Sequence, residues 1–266
     1  MKQSFNMYNF ENKNVLVTGG STGIGAEIVR QFFLAGANIY VISRSKKKLN
    51  EISASLKTLN TKGGFTMFPL DVTDLKAFKN YLNTENTNGI SFDVMVNSAG
   101  IYPKIKLIDT KEEDWDKIIN VNLRSAFFIS KYMARHMMAT GGGSIINIAS
   151  FAAEVPSVGS GVYAASKAGL NSLVKSMASE WAPYNIRVNA LNPGVIRTEM
   201  TQKLINKKGE DMLKQIALNR FGNPSEVAET VLFIASEASS YITGEIINVT
   251  GGKLITQDPR QAWETE

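Results

Sequence analysis

The chain has 266 residues, 44% of them hydrophobic, so it can bury a substantial core, and we expect one domain over residues 1–266. It contains no cysteine and one histidine, His136, which excludes disulfides, thiolate nucleophiles and zinc sites built from cysteine and histidine, and we expect no metal. The net charge is +5, but the basic residues are scattered except at 46–48, so we expect no nucleic-acid partner.

The first residues lack the apolar segment of a signal peptide. No apolar run approaches the roughly 20 residues that a membrane-spanning helix needs. We therefore expect a cytoplasmic protein without a membrane partner.

Short apolar runs alternate with helical patterns along the whole chain. Such runs, rich in valine and isoleucine, are typical of buried parallel strands. The alternation predicts an α/β fold, a single-domain Rossmann-type doubly wound parallel sheet of about seven strands with helices on both faces. The predicted strands are residues 15–18, 38–42, 65–69, 94–97, 144–150, 186–191 and 242–249.

A glycine-rich loop directly follows the first strand and leads into an apolar helix at residues 26–34. This order predicts a dinucleotide site, because backbone N–H groups and a helix N-terminus then face the pyrophosphate. The glycines follow the spacing G-x-x-x-G-x-G instead of G-x-G-x-x-G. The predicted contacts are Gly19, Ser21, Thr22, Gly23, Ile24 and Gly25.

The second strand ends at Ser43 and Arg44. A carboxylate here would accept a hydrogen bond from the ribose 2′-hydroxyl of NAD and repel the 2′-phosphate of NADP. Ser43 lacks that charge, and the Arg44 guanidinium suits a phosphate. The pair predicts NADP (as NADPH) in preference to NAD; the alternative for Arg44 is a solvated loop charge.

A capping box formed by Thr110 and Glu113 predicts the start of a long helical stretch. Asn122 lies within this stretch, and asparagine competes for backbone hydrogen bonds. Its side chain is therefore expected to kink the helix and hold a water molecule. The alternative is a polar residue on a helix face. His136, further along, is expected to be structural.

Ser150 ends the fifth strand, and ligands of open α/β sheets bind at the carboxyl ends of strands. Tyr163 and Lys167 follow on a predicted helix, where a spacing of four puts both side chains on one face. An ammonium beside a phenol should lower the tyrosine pKa from about 10, which makes Tyr163 a candidate general acid/base. The spacing alone is weak evidence, because Tyr102 and Lys106 share it.

Residues 198–218 are polar and lysine-rich, with apolar residues at helical spacing, and predict a mobile lid over the substrate. Pro224 then opens another helix. The C-terminal tail, residues 253–266, is polar but carries Trp263, which either docks on a neighbouring subunit or belongs to a frayed end.

The glycine loop, Ser150 at a strand end and the Tyr-x-x-x-Lys spacing together resemble the short-chain dehydrogenase/reductase family, over about residues 10–253. The resemblance implies that Asn122, Ser150, Tyr163 and Lys167 form the catalytic group. Ser98 departs from the family pattern Asn-Asn-Ala-Gly and is small enough to be tolerated. The cofactor contacts expected beyond the glycine loop are Ser43, Arg44, Asp71, Val72, Asn97, Ala99, Gly100, Tyr163, Lys167, Pro193, Gly194, Ile196 and Thr198.

The expected reaction is the NADPH-dependent reduction of a ketone to a secondary alcohol. Ser150 would donate to the carbonyl oxygen and Tyr163 would act as general acid, while Lys167 lowers the tyrosine pKa. The small-molecule substrate would be a small to medium hydrophobic ketone or a 3-oxoacyl group. Its expected pocket is mostly apolar and consists of Tyr102, Phe151, Ala152, Val155, Val158, Met200 and Leu204.

Two alternatives stay open: an NAD-dependent alcohol, sugar or steroid dehydrogenase running oxidatively, and a non-catalytic NADP-binding scaffold. Many members of the family reduce 3-oxoacyl groups on acyl carrier protein, which docks on arginines. This chain has Gly141 and Tyr184 at the matching places, which disfavours that partner. Members are commonly tetramers, so a homo-oligomer, tetramer or dimer, is expected. The apolar residues available for pairing would be Leu170, Leu173, Val174 and Met177.

Overall fold

The computed structural model describes residues 8–59, 61–253, 255–256 and 259–263. Over these residues, seven parallel strands form one sheet in the order β3-β2-β1-β4-β5-β6-β7. The order reverses between β1 and β4, and the crevice at such a reversal, outside the carboxyl ends of the strands, is where open α/β sheets bind ligands. The predicted fold class is confirmed. The strands are β1 Asn14–Thr18, β2 Asn38–Ser43, β3 Phe65–Pro69, β4 Val94–Asn97, β5 Gly143–Ile148, β6 Ile186–Pro193 and β7 Ile246–Val249.

Helices cover both faces of the sheet, and each face has its own apolar core. Phe32 and Val231 belong to the core on one face, and Phe78 and Met133 to the core on the other. The central strands are buried on both sides, which explains why they read as continuous apolar runs. The helices are α1 Gly23–Leu34, α2 Lys46–Lys57, α3 Leu75–Thr87, α4 Glu112–Ile119, α5 Ser125–Thr140, α6 Gly161–Trp181, α7 Glu199–Leu213 and α8 Pro224–Ala235.

The apolar residues of α6 serve mainly the core of this chain. Leu170, Val174 and Met177 are buried at 1%, 0% and 2% exposure, so these three are unavailable for pairing with another subunit. Leu173 is partly buried against the same core. The apolar spacing of these residues is therefore the signature of a helix packed on its own sheet.

The long helical stretch after the fourth strand does not begin with the predicted capping box. The cap position of α4 is Lys111, and it makes no side-chain cap hydrogen bond. The Thr110 hydroxyl instead donates to the Lys106 carbonyl oxygen at 3.0 Å, so it belongs to the preceding turn. The capping boxes of the described chain are at Thr198 with Thr201, and at Asn223 with Glu226.

Part of the C-terminal tail returns to its own chain. The Trp263 indole N–H donates to the Ala217 carbonyl oxygen at 2.8 Å, at the end of the predicted lid, while the ring is 57% exposed. Residues 254, 257–258 and 264–266 of the tail lie outside the described residues. In the described part of the chain, every helix is too short or too polar to cross a bilayer.

Candidate active site

A cavity of about 860 Å³ opens at the carboxyl ends of the strands, where the sheet order reverses. Loops that follow each of the seven strands converge on it. The predicted glycine loop lines one end, and Ser150, Tyr163 and Lys167 line the wall further along. Every cofactor contact predicted above lines this cavity except Asn97, and so do all seven residues predicted for the substrate.

Close packing explains the glycines of the loop. Gly19 has φ +67°, and a Cβ there would lie 2.7 Å from the backbone nitrogen of Ala99. A Cβ on Gly25 would collide with the Gly19 carbonyl oxygen. Thr22, at the N-cap of α1, makes no side-chain cap hydrogen bond, so the first-turn N–H groups remain donors at the cavity wall. Donors at a helix N-terminus fit a pyrophosphate, and a dinucleotide therefore fits this end.

The other side of the loop carries the residues that predict the cofactor preference. The hydroxyls of Ser21 and Ser43 lie 2.7 Å apart. The Arg44 guanidinium is 65% exposed and lies 3.9 Å from an Asp71 carboxylate oxygen. An exposed pair at that distance contributes little free energy, so Arg44 is free to turn towards a phosphate. Asp71 accepts hydrogen bonds from the Thr73 N–H and hydroxyl, and the N-cap residue of α3 is Asp74.

Ser150 lies two residues beyond the end of β5 and caps a short 3-10 turn. Its hydroxyl oxygen accepts from the Ala152 N–H at 3.1 Å, and its own N–H donates to the Asn192 side chain at 3.3 Å. The Asn192 amide nitrogen in turn donates to Glu154 at 3.1 Å. Both ends of the Ser150 backbone turn are thereby held, which directs the serine oxygen to the cavity.

Tyr163 and Lys167 lie one turn apart at the start of α6, on the face towards Ser150. The Lys167 Nζ lies 6.0 Å from the centre of the Tyr163 ring and donates to the Ile148 carbonyl oxygen at 2.8 Å. The Tyr102 ring packs edge-on against Tyr163, with 4.7 Å between ring centres. Serine, phenol and ammonium thus meet at one wall, although they are far apart in the sequence.

The predicted lowering of the tyrosine pKa is wrong for this structure. Burial raises the pKa of Tyr163 to about 12, and the hydrogen bond from Ser150 opposes this shift only in part. Burial also lowers the pKa of Lys167 to about 8. The Lys167 ammonium donates to the Ile148 carbonyl oxygen, and desolvation of the phenol is the largest cause of the Tyr163 shift. At neutral pH the phenol therefore keeps its proton.

Asn122 lies in a π-helical turn, Asn120–Arg124, that separates α4 from α5. The helical hydrogen-bonding pattern is therefore irregular at Asn122, and a kink there stays a prediction. The Asn122 side chain both accepts from the Ile101 N–H and donates to the Ile101 carbonyl oxygen, each at 2.9 Å. This pair of bonds joins the helix to the loop after β4, and the side chain does not line the cavity. A water molecule at this turn stays a prediction.

Asn97 is placed differently from the prediction. Its amide nitrogen donates to Ser130 at 2.9 Å and to Asn147 at 3.0 Å, and the residue is buried beneath the cavity. Its side chain ties β4 to α5 and β5, because a buried amide needs partners inside the core. The following residue, Ser98, does line the cavity and packs against Gly25.

Comparisons with known proteins agree with this geometry. A family model described as Enoyl-(Acyl carrier protein) reductase matches residues 19–253. A 3-oxoacyl-[acyl-carrier-protein] reductase of Thermotoga maritima is 40% identical over 245 residues, 92% of this chain and 99% of that protein. An NAD-dependent glycerol dehydrogenase of Listeria innocua is 36% identical over 93% of this chain and 96% of its own length. A short-chain type dehydrogenase/reductase of Mycobacterium ulcerans superposes with a TM-score of 0.90 at 28% identity, over 96% and 94% of the two chains.

The chain belongs to the short-chain dehydrogenase/reductase family.

In this short-chain dehydrogenase/reductase the half of the cavity that is predicted to hold the substrate, here called the substrate half, lies between Phe151 and α7. Helix α7 begins after the capping threonine Thr198 and is kinked at Lys208 (φ −138°). Val155, Val158 and Met200 are more than half exposed, so the cavity is open on this side. Lining residues that the sequence analysis missed include Lys104, Pro156, Ser157, Met212, Gln215 and Lys253.

His136 is remote from the site and has a structural role. Its Nε2 accepts the Phe92 N–H at 3.2 Å, and the ring is 8% exposed. Burial lowers the pKa of His136, so the neutral form is favoured. The described residues contain no cluster of three or more side chains suited to a metal ion.

Proposed function

We propose that this chain is an NADPH-dependent oxidoreductase that reduces a ketone, either a small to medium hydrophobic ketone or a 3-oxoacyl group, to a secondary alcohol. One observation carries the proposal. A single cavity joins the glycine loop, which suits a dinucleotide, to the wall formed by Ser150, Tyr163 and Lys167. Such a constellation at a sheet reversal suits hydride transfer next to a proton donor.

When bound, the reduced nicotinamide supplies the hydride. The Ser150 hydroxyl donates a hydrogen bond to the carbonyl oxygen and so stabilises the charge that develops there. Tyr163 gives its proton to that oxygen as general acid. The Lys167 ammonium lies beside the phenol and stabilises the phenolate that remains after the transfer. Asn122 positions the loop after β4 through Ile101.

The protonation state of Tyr163 suits its proposed role as general acid. With its pKa raised to about 12 by burial, the phenol is a proton donor at neutral pH. Oxidation of an alcohol needs the phenolate as base, and forming it costs free energy in this site. The phenol is therefore suited to the protonation step of the proposed ketone reduction.

The proposed preference for NADPH rests on Ser43 and Arg44. No carboxylate occupies the strand end at Ser43, and Arg44 is held only by a loose pair with Asp71. A charge-assisted bond from a guanidinium to the 2′-phosphate contributes about 1.5–3 kcal/mol, a preference of roughly ten- to a hundredfold.

An NAD-dependent dehydrogenase that runs oxidatively is the second candidate, and the likeness to the Listeria glycerol dehydrogenase favours it. A non-catalytic scaffold is disfavoured because Asn122, Ser150, Tyr163 and Lys167 are all present. The carrier-protein reductases among the relatives suggest acyl carrier protein as a partner. Gly141 and Tyr184 supply no charge at the places where that acidic partner would need arginine.

Fluorescence titration with NADPH and with NADH tests the cofactor first. A panel of ketones and 3-oxoacyl thioesters then tests the substrate. The proposal predicts tighter binding of NADPH and turnover of at least one ketone. Tighter binding of NADH with oxidation of alcohols would select the second candidate, and binding without any turnover would select the scaffold.

A further inference from the structure

The substrate half of the cavity contains a positive charge that the reaction does not use. Lys253 follows the last strand and its glycine pair, and its side chain is half-buried in the cavity wall. Its Nζ lies 5.3 Å from the centre of the Phe151 ring. Phe151 directly follows Ser150, so this ammonium lies on the serine side of the cavity, away from the glycine loop.

The partners of this ammonium are neutral. Nζ donates to the Gln215 side-chain oxygen at 2.5 Å, and no carboxylate lies within 4.0 Å of it among the described residues. Burial lowers the pKa of Lys253 accordingly. A buried charge is costly unless an opposite charge compensates it.

The carboxylates that line the described cavity are Asp71 and Glu199. Asp71 lies next to Arg44, and Glu199 lies 2.8 Å from Lys48, so neither can neutralise Lys253. Two further lysines, Lys104 and Lys208, line the open side of the cavity. The substrate half therefore carries uncompensated positive charge among side chains that include the apolar Phe151, Val155 and Leu204.

We propose that the substrate is a free oxo acid, whose carboxylate binds the Lys253 ammonium and the Gln215 amide while its ketone oxygen lies at Ser150 and Tyr163. One ammonium and one side-chain N–H match the two oxygens of a carboxylate. The apolar wall of Phe151 and Leu204 takes the carbon chain between the two ends. This inference rests on the proposed ketone reduction and specifies its substrate class.

Binding tests the carboxylate independently of turnover. The NADP-saturated protein is titrated calorimetrically with hexanoate, hexyl phosphate and 1-hexanol. We expect hexanoate to bind at least about tenfold more tightly than 1-hexanol, as one charge-assisted contact implies. Lys253→Met should remove this preference, and Lys203→Met, at an exposed position of α7 outside the cavity wall, should keep it. Equal affinity for hexanoate and 1-hexanol, or a preference that survives Lys253→Met, overturns the proposal. Tighter binding of hexyl phosphate than of hexanoate overturns the carboxylate assignment.

Turnover then tests the same residue in the reaction. The 4-oxopentanoate, 5-oxohexanoate and 6-oxoheptanoate anions are each compared with their methyl esters by kcat/KM. For the acid of best-fitting length, we expect a ratio of acid to ester of about ten or more, falling about tenfold in Lys253→Met. Ratios near one overturn the oxo acid while ketone reduction stands. Hexanoate selectivity without turnover of any ketone supports the anion site and overturns the proposed reaction.

Discussion

Replacing Lys167 with methionine separates the cost of burying its charge from the rest of its role. Burial lowers the pKa of Lys167 from 10.5 to about 8. A difference of about 2.5 pKa units corresponds to roughly 3 kcal/mol that the folded protein loses at neutral pH. Methionine keeps the length of the side chain and removes the charge. It also removes the donor to Ile148, at a cost of about 1–3 kcal/mol that does not depend on pH.

The pH dependence isolates the charge. The folded state binds fewer protons than the unfolded state between the two pKa values of Lys167, so stability rises with pH in that window. From about pH 7 to about pH 9.5, wild type should gain roughly 2 kcal/mol of unfolding free energy relative to Lys167→Met. Urea unfolding at a fixed protein concentration measures both proteins. Lys175→Met, at an exposed position of the same helix, is the control and should run parallel to wild type. If the unfolding free energies of wild type and Lys167→Met changed with pH in parallel, the claim that Lys167 is a buried ammonium would be refuted.

Two further predictions concern the cofactor end and the remote histidine. Arg44→Ala should weaken NADPH binding by about ten- to a hundredfold and leave NADH binding unchanged, whereas Lys46→Ala, an exposed neighbour outside the cavity, should alter neither. An unchanged preference for NADPH in Arg44→Ala would contradict the role of Arg44. Because burial lowers the pKa of His136, wild type should lose unfolding free energy relative to His136→Gln as pH falls below about 6.5. If the difference in unfolding free energy between wild type and His136→Gln stayed constant with pH, the pKa of His136 would be the same in the folded and unfolded states.

Strand positions were predictable because a strand that is buried on both faces is a continuous run of apolar residues in the sequence. The third and fourth strands begin and end at the predicted residues, Phe65–Pro69 and Val94–Asn97. The last strand begins at Ile246, four residues later than predicted, because Gly244 has φ +80° and turns the chain before the sheet begins. A turn of this kind depends on backbone conformation, which an apolar pattern does not report.

Side-chain partners were harder to predict, because they depend on residues that the fold brings together. Thr110 was predicted to cap a helix, but its hydroxyl donates a hydrogen bond to the Lys106 carbonyl oxygen in the preceding turn. Asn97 was predicted to contact the cofactor, but its amide nitrogen donates hydrogen bonds to Ser130 and Asn147. Local spacing cannot distinguish these cases, since each competing partner is set by tertiary packing.

The residues that line the cavity also fall into a predictable and an unpredictable group. The glycine loop and the Ser150 group carry local patterns, and the sequence predicted that they meet. Lys253 and Gln215 carry no local pattern, and they meet in the wall because the residues after β7 pack against the residues that follow α7. The pKa of Tyr163 belongs to this second group, because burial decides it and burial is a property of the folded chain.

The central claim is that Tyr163 donates the proton to the substrate oxygen. The most direct test is the turnover of Tyr163→Phe on a ketone that wild type reduces, with NADPH affinity measured on the same protein. Phenylalanine keeps the ring against Tyr102 and removes only the hydroxyl. We expect turnover to fall by at least about 100-fold while NADPH binding is largely retained. Turnover close to that of wild type would contradict the account.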